Sequence, residues 1–178
     1  MKNLPNILTT IRFCLVPVFP IVYFSDMKNA HYIALIIFLI ASLTDFLDGY
    51  FARKYNVISK IGIVMDPLAD KFMQLTALTS LTLAGALPLW ILIIFLAKEF
   101  FIIITGTILY WRRENKMVIP SHIIGKIATV VSSLAVTLLI IFPANKICIS
   151  VAVIALALKL IALVMYIKVY RINKQQQL

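Results

Sequence analysis

The sequence predicts an all-α integral membrane protein: a six-transmembrane-helix bundle with both termini cytoplasmic. Three observations predict it. Of 178 residues, 62% are apolar and only 13% charged, whereas soluble domains run roughly half apolar and a quarter charged. Six apolar stretches each reach the roughly 20 residues that a helix needs to cross the hydrocarbon layer. Lys and Arg gather on alternate connections between them. A mean hydropathy of +1.01 excludes a soluble globular domain, a disordered chain and a disulfide scaffold, because no single soluble core could hide so much apolar surface. The net charge of +10 would suit nucleic acid, but this hydropathy does not, so no nucleic-acid partner is expected. In a membrane protein the excess cations belong in cytoplasmic loops and beside anionic headgroups, which makes membrane lipids the expected surroundings.

The crossings fall near 5–25, 31–54, 61–85, 88–111, 121–142 and 147–170. Polar or Pro/Gly breaks separate them: Ser25-Asp26, Tyr55-Asn56, Gly85 to Pro88, Arg112 to Pro120, and Pro143 to Lys146. The first is read as retained rather than as a signal peptide. Arg12 interrupts it, Pro17 and Pro20 follow, and no small-x-small cleavage pattern precedes Asp26. The loops after crossings one, three and five carry only Lys28 and Lys146. The opposite side carries Lys2, Arg53, Lys54, Lys60, Arg112, Arg113, Lys116, Lys168, Arg171 and Lys174. That asymmetry sets both termini in the cytoplasm. Cys14 and Cys148 lie in separate apolar runs, outside any disulfide or zinc spacing, and read as buried inert thiols. The Gln175-Gln176-Gln177 tail reads as frayed.

An ionisable residue inside a bilayer is costly, about 2.5–3.5 kcal/mol even on insertion scales, and usually marks function. Four of the seven acidic residues fall within 26 positions, in or beside crossings two and three: Asp45, Asp48, Asp66 and Asp70. On a helix, 45, 48, 49 and 52 share one face. Asp66 and Asp70 share another, with Gly62 one turn earlier. The short link makes the two crossings antiparallel neighbours, so the carboxylates can converge near the cytoplasmic end. Like charges this close raise each other's pKa, so protons or cations must offset them. Arg53 and Lys71 could pair some. Hard oxygen ligands with open positions suit Mg²⁺ or Mn²⁺, and two such ions would suit phosphoryl chemistry. Gly49, Ala52 and Gly62 allow either close helix packing or an exposed backbone for a flat ligand.

The run from Asp45 to Asp70 reads D-x2-D-G-x2-A-R-x8-G-x3-D-x3-D. It resembles the signature of the CDP-alcohol phosphatidyltransferase family at all eight fixed positions. Arg12 and the Asn6-Ile7-Leu8-Thr9 run resemble that family's amino-terminal segment. The resemblance covers nearly the whole chain and implies a single transmembrane domain over 1–178. It implies transfer of a phosphatidyl or similar group from a CDP-linked donor to an alcohol, with release of CMP. It further implies that Asp45, Asp48 and Asp66 are metal ligands, and that Asp70 completes the metal site and is the catalytic base. Gly49, Ala52, Arg53 and Gly62, with Asn6 and Thr9, would hold the cytidine diphosphate. A homodimer in the cell membrane, with its active site facing the cytoplasm, is implied as well.

The acceptor alcohol should be chosen by crossings four to six. Lys98-Glu99 sits mid-crossing, either as an internal ion pair or as part of a pocket. Gly125, Thr129 and Ser132 or Ser133 recur at about one turn and suggest a packing seam. Lys126 could meet an anionic acceptor, and so could Arg112 and Arg113, which otherwise serve as cytoplasmic anchors. The pattern is similar to family members that use glycerol 3-phosphate, with two departures. Ala128 stands where those members carry a second lysine, and Gly106 where they carry an arginine. Both departures remove positive charge, so phosphatidylglycerol, which would give cardiolipin, stays open as the acceptor. A different class, an intramembrane cation or proton transporter, would favour an acidic lane through the bilayer and inverted repeats. Here the acids cluster at one end.

Overall fold

The computed structural model describes residues 4–55, 62–111 and 123–175, with side chains at 7, 9–44, 65, 68–105 and 123–168. Six helices make up the described residues, with no strand among them: α1 (Leu4–Tyr23), α2 (Ala30–Tyr55), α3 (Gly62–Leu83), α4 (Leu89–Trp111), α5 (Ile123–Ile141) and α6 (Lys146–Gln175). They coincide with the six apolar stretches. α6 continues past the expected crossing to Gln175; residues 176 and 177 of the tail lie outside the described residues.

The chain divides into two compact units, residues 1–87 with 136–145, and residues 88–135 with 146–178. In the first unit α1 lies against both α2 and α3, and α2 touches α3. Their buried residues fall in stripes. On α2 these are Ala30, Ala34, Ile37, Ala41 and Thr44, spaced alternately four and three. On α3 they include Ala69, Met73, Ala77 and Leu81, and on α1 Thr9, Arg12, Phe19 and Tyr23. Small residues along α2 and α3 let backbones approach where lipid supplies no hydrophobic drive. Pro17 and Pro20 sit inside α1 and remove the amide donors to the carbonyls of Phe13 and Val16. Packing on neighbouring helices lets a membrane helix tolerate that loss.

The turns are closed by local chemistry. After α3, the Ala86 amide donates to the Leu81 carbonyl (2.9 Å) and the Gly85 amide to the Thr82 carbonyl (3.0 Å). Gly85 has φ +74°. This is the paired-bond cap in which a left-handed glycine satisfies the last carbonyls of a helix, and Leu81 and Ala86 are both buried beside it. After α5, Ala144 takes a left-handed φ of 58° in the turn where the Asn145 amide donates to the Phe142 carbonyl (3.4 Å).

In the second unit α4 packs against α6. Its buried residues include Ile91, Leu92 and Phe95 on α4, and Cys148, Ala152, Ala155, Leu156 and Lys159 on α6. Outward surfaces are apolar too: Ile36, Leu39, Ile40 and Leu43 on α2, Ile93, Phe100, Ile103 and Ile104 on α4, and Ile154, Ile161 and Val164 on α6 are all exposed. A helix apolar on every face is suited to lipid. Two helices, Ile123–Ile141 and Lys146–Lys168, are long and apolar enough by themselves to cross a membrane.

Two expectations need correction. Cys148 is buried, but Cys14 is exposed, on the outward side of α1; both are free thiols. The seam on α5 is displaced from the one expected. Thr129 is exposed and its hydroxyl donates to the Gly125 carbonyl (3.1 Å), and a Cβ built on Gly125 would meet nothing within 4 Å. Of the expected seam Ser132 is buried, and with it lie Ala128, Ala135, Val136, Leu139 and Ile140. One residue is about 100° of helix rotation, so a shift of one position moves the buried face by more than a quarter turn.

Candidate active site

Register in the first unit is set by aromatic contacts. Phe19 of α1 meets Phe38 of α2 edge-on at 6.4 Å, and Tyr23 meets His31 at 4.9 Å. As α1 advances from 19 to 23, α2 recedes from 38 to 31, so the two helices run antiparallel. Seven residues back from Phe19 is Arg12, and seven on from Phe38 is position 45. Phe13 meets Phe72 of α3 at 6.2 Å, which sets Arg12 within a residue or two of the level of Asp70. The ends of α2 and α3 that carry the four aspartates therefore flank the stretch of α1 around Arg12.

α2 is continuous through positions 45, 48, 49, 52 and 53, and α3 through 62, 66 and 70. Each set keeps its one-turn spacing on an unbroken helix. The side chains of Asp45, Asp48, Arg53 and Asp66, with positions 49, 52 and 62 and the Asn6 side chain, lie outside the described side chains; Arg112 and Arg113 lie outside the described residues. Asp70 and Lys71 are half-buried, Gln74 and Thr9 are buried, and all four are engaged with neighbours. Thr44, next to Asp45, is buried with its hydroxyl donating to the Ala41 carbonyl (2.8 Å), so its polarity is satisfied within its own helix. A cavity of about 270 Å³ lined by His31, Tyr32, Leu35, Ile140, Ile141 and Pro143 lies at the other end of α2, about 20 Å along the helix from position 45.

In the second unit Lys98 donates a hydrogen bond to Glu99; this ion pair lies within α4, whereas the expected ion pair was one that ties helices together. Lys126 is exposed on α5. Two buried cations stand out: Arg12, to which the sequence assigned no role in a site, and Lys159, which it did not single out. Arg12 is 1% exposed. Lys159, in the middle of the apolar run of α6, is 7% exposed, with its ammonium 4.5 Å from the centroid of the Phe95 ring; Lys98 lies 5.8 Å from the same ring. The cost of an ionisable group inside a span, the same signal that singled out the aspartates, could have found both.

Six largely apolar helices in this order, with four aspartates at one-turn spacings on α2 and α3, set the class. Residues 2–167 match the family profile of CDP-alcohol phosphatidyltransferase. The chain belongs to that family: it is a phosphatidyltransferase enzyme and a membrane protein. Among characterised relatives it is 35% identical over 152 residues to the CDP-diacylglycerol–glycerol-3-phosphate 3-phosphatidyltransferase of Bacillus subtilis (strain 168), covering 79% of this chain and 77% of that one. It is 35% identical over 143 residues to a probable phosphatidylglycerophosphate synthase of Mycobacterium tuberculosis (strain H37Rv), covering 79% and 66%. A Rickettsia typhi CDP-diacylglycerol–glycerol-3-phosphate 3-phosphatidyltransferase is 44% identical over 73 residues, 41% of each chain. Family membership sets the transporter reading aside.

Proposed function

We propose that the enzyme transfers the phosphatidyl group of CDP-diacylglycerol to a hydroxyl of glycerol 3-phosphate, giving phosphatidylglycerophosphate and CMP. The observation that carries this is the likeness to the Bacillus subtilis enzyme, whose name states that donor and acceptor and which aligns with 79% of this chain. All six helices cross the membrane as one domain over 1–178, with both termini and the active site on the cytoplasmic side. The charge asymmetry of the loops supports that orientation, and the apolar outward faces of α2 and α4 support crossing by helices beyond the two most apolar. The working form is a homodimer, as the family likeness implies.

Chemistry follows from the helix positions. Asp45, Asp48, Asp66 and Asp70 would hold two divalent ions. The donor set fits: hard carboxylate oxygens at one-turn spacings suit Mg²⁺ or Mn²⁺, in keeping with the metal dependence general to the family. When bound, such ions neutralise the diphosphate and the charge growing on the leaving CMP. Asp70 takes the proton of the acceptor hydroxyl as its oxygen bonds to the β-phosphorus. The bond from that phosphorus to the bridging oxygen breaks, and CMP leaves. Arg53 offers a planar, permanently charged fork to the phosphate oxygens. Gly49, Ala52 and Gly62, with Asn6 and Thr9, hold the nucleotide, and their small side chains leave backbone open to it. Lys126, Arg112 and Arg113 draw the acceptor's phosphate.

One observation keeps a second acceptor in view. Ala128 is 1% exposed, so an apolar contact occupies the place where glycerol-phosphate users carry a lysine. Phosphatidylglycerol, which would give cardiolipin, needs less positive charge there. Incubating the purified enzyme with CDP-diacylglycerol, Mg²⁺ or Mn²⁺, and either acceptor distinguishes them. Mass spectrometry should find phosphatidylglycerophosphate. Cardiolipin from the phosphatidylglycerol arm alone would replace this reading with the second.

A further inference from the structure

We infer that the cavity between the start of α2 and the end of α5 binds one phospholipid, its phosphodiester held at the rim by His31 and Tyr32 and an acyl chain entering beside Leu35, Ile140 and Ile141. The cavity lies in the first unit, at the end of α2 remote from the aspartates. It holds about 270 Å³, and Pro143 completes its lining. A pocket that encloses a whole small molecule measures roughly 300–1,000 Å³, so this one takes part of a ligand and leaves the rest outside.

Polarity is graded along the helix. His31 and Tyr32 stand in the first turn of α2 and bring an imidazole and a phenol hydroxyl. Leu35 lies one turn deeper, and Ile140 and Ile141 end α5. Amphipathic rings belong at a membrane interface, and Phe24 and Phe142 are exposed at the same end of this unit. Buried Tyr23 packs on the His31 ring at 4.9 Å, which holds the imidazole at the rim. Below the cavity the exposed face of α2 continues through Ile36, Ile40 and Leu43 at one-turn steps. A chain leaving the cavity can lie along that strip. Polar groups at the helix end with an apolar lane running inward repeat the order of groups in a phospholipid. Free phosphate would leave the apolar walls unused, and plain hydrocarbon would leave the imidazole and hydroxyl unused. Asp26 and Lys28, on the turn before α2, offset each other, so a zwitterionic headgroup suits this end as well as an anionic one. The site rests on α1, α2 and α5 crossing the membrane as proposed above, and not on the acceptor or the metal chemistry.

The test uses the full-length enzyme, delipidated in detergent, and dioleoylphosphatidylcholine, which is neither donor nor acceptor in the proposed reaction. Native mass spectrometry should find one phosphatidylcholine bound per chain. Leu35→Trp fills the cavity from α2 and Ile141→Trp from α5; each should weaken that binding about tenfold or more and leave CMP release within about twofold. If one of them does not fold, the other decides. His31→Phe keeps a ring against Tyr23 and removes the donor. It should weaken phosphatidylcholine about fivefold or more and leave dioleoylglycerol, which lacks the phosphate, unchanged. Binding unaltered in the Trp variants would overturn the site. Equal losses of both lipids in His31→Phe would overturn the phosphodiester contact, and displacement by inorganic phosphate alone would overturn the lipid. Membrane placement is read separately, in a background lacking Cys14 and Cys148. An impermeant maleimide should label Asn29→Cys from the face of intact vesicles opposite to Lys2→Cys. Labelling from the same face would defeat the crossing of α1 and this site with it, whereas the expected labelling with unaltered binding in the Trp variants defeats the site alone.

Discussion

At the scale of single residues, charge inside the apolar part of the chain organises the chemistry. Asp70→Asn should abolish turnover while leaving CDP-diacylglycerol binding largely intact, because an amide keeps the shape but cannot accept the acceptor's proton. Single-turnover CMP release and ligand titration read the two effects; near-normal turnover would dismiss Asp70 as base. Lys126 is exposed on α5, available to a soluble anion. Lys126→Ala should raise KM for glycerol 3-phosphate several-fold more than KM for CDP-diacylglycerol, and equal shifts would take it out of the acceptor pocket. Lys159 is different. Its charge lies over Phe95 deep in an apolar helix, a position costing about 2.5–3.5 kcal/mol. Lys159 has a partner besides that ring, so Lys159→Met should leave a buried group unmatched and lower Tm. An unchanged or raised Tm would show that the cation is a net cost to the fold.

At the scale of elements, all six helices were legible because apolar runs of spanning length end at Pro, Gly or polar breaks. Faces were less legible. In a chain that is apolar nearly all round, hydrophobic periodicity hardly distinguishes the lipid side from the protein side. The α5 seam was therefore expected on Gly125, Thr129 and Ser132 or Ser133, whereas Ala128 carries it together with Ser132, and Cys14 was expected inside but faces out. The helix caps give a paired prediction. A Cβ on Gly85 would meet nothing within 4 Å, so Gly85→Ala costs only the left-handed backbone, about 1 kcal/mol. Exposed Ala144 already bears that cost at φ 58°, so Ala144→Gly should stabilise by up to about 1 kcal/mol. Opposite shifts of Tm, down for the first and up for the second, are the expected result.

At the scale of the whole molecule, four carboxylates on two neighbouring helices need protons or cations to offset them, and the proposed mechanism uses cations. Chelation by EDTA should stop CMP release, and Mg²⁺ or Mn²⁺ should restore it. Full activity in metal-free buffer would defeat the metal-assisted mechanism. The acidic half of the candidate site could be proposed from sequence alone, since positions 45, 48, 49 and 52 on α2 and 62, 66 and 70 on α3 keep spacings that an unbroken helix turns into a face. The place of Arg12 could not: nothing in local sequence says that Arg12, fifty-eight positions before Asp70, stands level with it.

The sequence by itself determined the class of this protein, its six helices and the candidate residues for handling a pyrophosphate. Composition, run length and motif spacing are all properties of contiguous chain. Only the tertiary structure decided which side of each helix faces protein, that Arg12 is sealed between α1 and its neighbours, and that Lys159 lies against Phe95. Those outcomes depend on how helices far apart in sequence are rotated and slid against one another. In lipid that is settled by close packing and by the pairing of buried charges rather than by any hydrophobic pattern along the chain.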